Sequence, residues 1–161
     1  MLQIQIVREL QGFIREVAAC ADDTSLWDVR PGVTNSVGNL ALHVCGNLQH
    51  FVGQVLGKTG YARQRDREFN QRDGSRGDVV GELQTTIGMM ATVLPTLSST
   101  TLESDFPEQV GGQTINTAQF LVHLGAHLSF HLGQAGYLRR VIAGENSSTG
   151  PMPLAAIARQ G

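Results

Sequence analysis

The sequence has few cysteines and no long apolar run. Its two cysteines, Cys20 and Cys45, form no CxxC pair, which excludes a dense disulfide framework and fits a reducing compartment. No apolar stretch is long enough to span a bilayer. Residues 1–17 have charges spaced through them and lack the unbroken apolar core of a signal peptide. We therefore expect a soluble, cytoplasmic protein with no membrane partner.

The sequence also lacks an excess of basic residues. The formal net charge is −2 and the pI is about 6.2, so nothing suggests the electrostatic surface of a nucleic-acid-binding protein. Arginines do cluster between residues 63 and 76, but acidic residues are interleaved with them. We interpret this segment as a solvated loop of mixed charge and expect no nucleic-acid partner.

No segment shows a convincing strand pattern, whereas four segments show helical periodicity. The first helix stops before residues 20–32, whose Trp27 is expected to plug one end of the core. The second begins near residues 34–36 and ends near 58; the third begins near 78, and Pro95 should end or kink it near 94. The fourth, residues 114–143, is apolar on nearly every side and is expected to be largely buried.

These elements predict an all-α fold, with a four-helix bundle as the first choice. Residues 1–161 form a single domain in this prediction, in which 146–161 are a linker and a short C-terminal tail. The connection at 59–77 is longer than the roughly 2 to 8 residues that antiparallel neighbours need. Helices 2 and 3 are therefore expected to run parallel, joined by a long crossover.

All five histidines fall in two of these helices. His43 and His50 lie in the second helix, and His123, His127 and His131 lie four residues apart in the fourth. Histidines at i and i+4 share a helix face and can reach one metal ion. His123 and His131 are about 12 Å apart along the axis, so only a neighbouring pair can share an ion.

The second helix can supply a third ligand to such a pair. His43 and His50 are about 10 Å apart along their helix, so at most one of them should join a given site. Three histidines with an open position are typical of a catalytic metal site. Spacing alone leaves the alternative that these histidines fill the core or cover a helix surface.

Two stretches resemble a known family. "NSVGNLALHVCGNLQHF" in the second helix and "HLGAHLSFHLGQAGYLRR" in the fourth resemble the DinB-like superfamily, also called YfiT-like or S-transferase-like. The resemblance implies that His43, His127 and His131 bind a divalent metal ion. Imidazole ligands suit zinc, nickel, iron and copper alike, and zinc or nickel are the first candidates. Family members often carry a second histidine and an arginine around the last ligand, and this chain has Phe130 and Leu132 there instead.

Side chains next to the implied ligands include Asn47, His123 and Gln134, which we predict as second neighbours of the ion. No acidic residue lies between 114 and 144, so a general base for hydrolysis would have to come from a loop, and no catalytic residue is identified. Arg139 and Arg140 follow the last histidine and either bind an anionic substrate group or are simply solvated. No role is assigned to His50.

The resemblance implies a metal-dependent S-transferase that joins a low-molecular-weight thiol, such as mycothiol, bacillithiol or glutathione, to an electrophilic substrate. A thiol suits this site because a metal ion lowers the pKa of a bound thiol. The alternatives are a metal-dependent hydrolase and a non-catalytic metal-binding stress-response protein. A homodimer is compatible with the resemblance.

Overall fold

The computed structural model describes residues 2–150 and 153–156, and the regular secondary structure of these ranges is helical. The four long helices are α1 (Leu2–Ala18), α3 (Val37–Leu48), α5 (Arg76–Val93) and α7 (Thr117–Ala143). The three short helices are α2 (Asp23–Leu26), α4 (Arg65–Asn70) and α6 (Ser99–Glu103). A π-helical segment, Gln49–Leu56, continues α3, and 3₁₀ turns cover Leu94–Thr96 and Leu154–Ala156. The predicted all-α class is confirmed.

Side-chain caps mark the first turns of α3, α5 and α7. Ser36 accepts a hydrogen bond from the backbone N–H of Asn39 and so caps α3, within the predicted 34–36 range. Ser75 caps α5, which begins slightly before the predicted position. Asn116 caps α7, so this helix begins at residue 117 instead of 114. At the other end of α5, Pro95 follows the last helical turn, as predicted.

Pairs of contacts show how the long helices run. Gln49 donates a hydrogen bond to Thr86 at 3.3 Å, and a Cβ at Gly57 would lie 2.6 Å from the Val93 side chain. Residue numbers rise together in these pairs, so the helix through α3 and the π-helical segment runs parallel to α5. The connection between them must therefore cross the length of the molecule, and it carries α4 across the face of α3.

The helix α3 runs antiparallel to α7. The ring of His43 lies near that of His127, and the ring of Phe51 lies near that of Phe120. The helix α1 packs against both α5 and α7. Trp27 is buried against Gly38, and its indole N–H donates to the carbonyl of Gly74 at 2.8 Å, so it closes one end of the core as predicted.

The prediction that α7 is largely buried is wrong for one of its faces. Phe120, Leu124 and Leu128 are buried, as expected of a core helix. Exposed large apolar side chains occupy the opposite face: Val122, Phe130, Tyr137 and Val141. The neighbours α1 and α3 cover only part of a helix of this length, and hydrophobicity alone does not indicate which side they cover.

The C-terminal segment has little regular structure where it is described. The predicted linker and tail begin near residue 146, and residues 151–152 and 157–161 of that segment lie outside the described residues. Ser147 and Thr149 contact side chains of α7 and α1. Among the described residues, no helix is long and apolar enough to cross a membrane.

Candidate metal centre

Three histidines converge between α3 and α7. The Nε2 atom of His127 lies 3.4 Å from Nε2 of His43 and 3.0 Å from Nε2 of His131. One ligand atom from each of the three falls within 4.8 Å of the others. Tetrahedral zinc bound by imidazoles places its ligand nitrogens roughly 3.3 Å apart. The three histidines predicted from the sequence are therefore assembled at distances that suit one ion.

The hydrogen bonds of the Nδ1 atoms limit how many hydrogens the converging Nε2 atoms can carry. Nδ1 of His43 is 3.0 Å from the Glu68 carboxylate, and Nδ1 of His131 is 2.7 Å from Oε1 of Gln134. Both acceptors require a hydrogen on Nδ1, so Nε2 of each neutral ring carries a lone pair. The neutral ring of His127 can donate one hydrogen at most. At least one pair of converging nitrogens therefore has no hydrogen between them, which a cation would resolve.

Burial and the neighbouring charges favour the neutral rings of His127 and His131. Burial lowers the pKa of His127 to about 4, and the neighbouring His131, His43, His123 and Arg63 act in the same direction. Burial also lowers the pKa of His131, against the opposing effect of its hydrogen bond with Gln134. Neutral imidazole is the form that binds metal ions.

A buried carboxylate reaches the site from the connection between α3 and α5. Glu68, on α4, accepts hydrogen bonds from Nε and Nη2 of Arg63 at 2.7 and 2.8 Å and from His43. Burial works to raise the pKa of Glu68, but the hydrogen bonds from Arg63 and His43 outweigh it and hold the pKa below its usual value. The prediction that residues 63–76 form a solvated loop of mixed charge is therefore wrong for Glu68, which is only 4% exposed.

The three predicted second neighbours differ in their surroundings. Gln134 contacts His131 directly. Asn47, one turn beyond His43 on α3, is buried, and its Oδ1 has no hydrogen-bond partner. His123 is exposed; its ring stacks on Phe120 and lies 6.1 Å from the ring of His127, and within the described ranges it has no hydrogen bond.

The remaining candidates lie away from the three converging nitrogens. His50, on the π-helical segment, faces Glu108 at 3.4 Å. Arg139 is 3% exposed and pairs with Glu16 of α1, so it does not present a free guanidinium to a substrate. Arg140 lies over the ring of Tyr137 at 4.4 Å.

Neither cysteine is suited to act as a nucleophile. Both are buried free thiols. Burial raises the pKa of Cys20 to about 11 and that of Cys45 to about 12. A thiol is reactive as its anion, so the protein supplies no thiolate of its own near neutral pH.

Comparison with known families identifies a family model that covers most of the chain. The family model described as "Protein of unknown function (DUF1572)" matches residues 3–154. No curated protein and no solved structure matches the chain. The matched residues include all three converging histidines and Glu68. Because the match covers nearly the whole chain, the protein belongs to the DUF1572 family.

Proposed function

We propose that this protein binds one divalent metal ion through His43, His127 and His131. The observation that carries the proposal is the convergence of three Nε2 atoms, at 3.0 and 3.4 Å, with too few hydrogens to satisfy them. Three imidazoles suit zinc, nickel, iron and copper, of which zinc and nickel are tested first. Three protein ligands leave a coordination position for a water or a substrate, as in catalytic zinc sites.

Elemental analysis of the purified full chain tests the proposal. The protein is unfolded, refolded with zinc or nickel offered in separate samples, and then freed of unbound ions. We expect about one equivalent of metal per chain, since the three nitrogens form one site. Refolded protein that retains neither zinc nor nickel would contradict the proposal.

We further propose that this protein transfers a low-molecular-weight thiol to an electrophilic substrate, as the DinB-like resemblance implies. A divalent ion held by His43, His127 and His131 would lower the pKa of a thiol bound beside it. A thiol is favoured over water because a metal-held thiolate needs no further general base, whereas metal-assisted hydrolysis usually employs a carboxylate that is free to take a proton. Both oxygens of Glu68 are occupied by Arg63 and His43, and its pKa is low.

Arg63 lies where it can influence what enters the site. Its guanidinium carbon is 6.0 Å from the centre of the Phe51 ring, and its Nη2 is 3.5 Å from Nδ1 of His43. Its Nε and Nη2 donate to Glu68, so the Nη1 nitrogen of Arg63 is the one left to meet the carboxylate of a thiol that enters beside the histidines. Of the three thiols that the resemblance implies, glutathione and bacillithiol carry carboxylates, whereas mycothiol carries none.

Turnover of these thiols with an activated aryl chloride tests the transfer activity. We expect metal-dependent conjugation with at least one of them, in which the thiol loses its proton to solvent, its sulfur forms a bond to the aryl carbon and chloride leaves with the electrons of the broken C–Cl bond. The rate should fall to background after metal removal and return when the metal is restored. The variant His50→Ala should retain activity, because His50 lies outside the site.

The assay also separates the alternatives. Thiol-independent cleavage of an ester or amide by the metal-loaded protein would favour a hydrolase and contradict thiol transfer. Metal binding with neither reaction would favour a non-catalytic metal-binding protein. We also propose that the four long helices form a four-helix bundle. The packing of α1 and of α3 against both α5 and α7 supports this arrangement.

A further inference from the structure

We propose that Glu68 is a positioning residue that, together with Arg63, holds His43 in the tautomer and orientation needed for metal binding; this inference rests on the proposed metal-binding function. Metal-binding histidines commonly donate their outer ring N–H to a carboxylate, which fixes the ring and increases the basicity of the other nitrogen. The His43 ring has this arrangement, with Nδ1 facing Glu68 and Nε2 facing His127.

Arg63 keeps the Glu68 carboxylate ionised, and an ionised carboxylate can only accept hydrogen bonds. The side chains of Arg63 and Glu68 are 12% and 5% exposed, and a carboxylate buried to this extent needs a charged partner to remain ionised. Nη2 of Arg63 and Nδ1 of His43 both point at Oε2 of Glu68. Because both nitrogens are donors, the anion between them sets the hydrogen of His43 on Nδ1.

The backbone of Glu68 is tied to the helix that carries His43. Nδ2 of Asn39, one turn before His43, donates to the carbonyls of Glu68 and Gln71 at 2.9 and 3.0 Å. Oδ1 of Asn39 accepts a hydrogen bond from Arg72 at 2.8 Å. Asn39 is fully buried, so the end of α4 and the start of α3 form one hydrogen-bonded unit.

Gly46 provides the space that the carboxylate occupies. A Cβ added at Gly46 would lie 2.1 Å from Oε1 of Glu68 and 2.7 Å from its Cδ, which no pair of such atoms tolerates. Gly46 is helical, where alanine has the higher helix propensity. The carboxylate can therefore reach His43 only because residue 46 has no side chain.

Glu68→Gln tests the role without changing the shape of the side chain. The amide can donate a hydrogen bond to Nδ1, so we expect the His43 tautomer to shift towards hydrogen on Nε2. Nitrogen-15 NMR of the metal-free protein measures that tautomer directly. Competition with a chromogenic chelator measures zinc affinity, which we expect to fall about 10- to 100-fold.

Gly46→Ala tests the same role by filling the space that the Glu68 carboxylate occupies, without removing a polar group. The new methyl group should displace the carboxylate, and the zinc affinity and the His43 tautomer should change as in Glu68→Gln. Gly88→Ala is the matched control, because a Cβ at this helical position of α5 meets nothing within 4 Å. It should leave both readouts unchanged. Circular dichroism establishes that each variant is folded.

The outcomes of the inference and of the proposed function are separable. Unchanged tautomer and unchanged zinc affinity in folded Glu68→Gln would overturn the positioning role, while zinc binding by the wild-type chain would still support the proposed function. Absence of zinc binding by the wild-type chain would overturn the proposed function and, with it, the metal-related role of Glu68. If Gly46→Ala does not fold, Glu68→Gln decides alone.

Discussion

Replacement of His127 by alanine is expected to abolish tight zinc binding. Nε2 of His127 is the atom that lies within 3.4 Å of both other ligand nitrogens, so its loss removes the middle of the site. Since the loss of a residue behind a ligand typically costs 10- to 100-fold in affinity, we expect the loss of this ligand to cost more than about 100-fold. Zinc content after refolding and competition with a chelator measure the effect.

His50→Ala is the control for this experiment, because it removes an imidazole from the same protein at a position outside the site. His50 faces Glu108, and we expect its replacement to leave zinc affinity within about twofold of the wild type. Equal loss of affinity in the two variants would contradict the assignment of the site. Unchanged affinity in folded His127→Ala would contradict it as well.

Replacement of Arg139 by leucine is expected to lower the free energy of unfolding by about 3 to 5 kcal/mol. Nε of Arg139 lies 2.7 Å from Oε2 of Glu16, and the two side chains are 4% and 9% exposed. Removal of one partner leaves the other charge buried without compensation. Arg139 also donates to the carbonyl of Ser147, so the variant should loosen the C-terminal segment too. Urea denaturation followed by circular dichroism measures the change.

Arg140→Leu provides a matched comparison one residue away. Arg140 is half-buried, lies over Tyr137 and donates to the carbonyl of Gly136. We expect it to contribute about 1 kcal/mol or less. Losses of similar size in the two variants would contradict a structural role specific to Arg139. A loss of thiol turnover in folded Arg139→Leu, without a loss of stability, would instead support the anion-binding interpretation of that arginine.

Local spacing was sufficient to predict that two neighbouring histidines of α7 can share an ion, because residues four apart on a helix share a face. It was also sufficient for the start of α3 and the end of α5, since Ser36 and Pro95 act on the backbone within one turn. The selection of His43, and of His127 with His131, came from the family resemblance. Spacing by itself left His50 and His123 as alternatives.

Glu68 could not be identified from the sequence. It stands among alternating charges, and this pattern is typical of a solvated surface. Its burial depends on the parallel arrangement of α3 and α5, on the anchor at Asn39 and on the space at Gly46. A signal did exist, since a long crossover connection must pass over a helix, but the pattern does not indicate which of its residues point inward.

The helical class, the start of α3, the end of α5 and the spacing of the histidines follow from the sequence alone, because each depends on neighbours within a few residues along the chain. The tertiary structure determines which helix faces are covered, and it leaves Phe130 exposed and Arg139 buried. It also decided that a carboxylate stands behind His43. These features depend on contacts between residues far apart in the chain, whose geometry is set by the packing of whole helices.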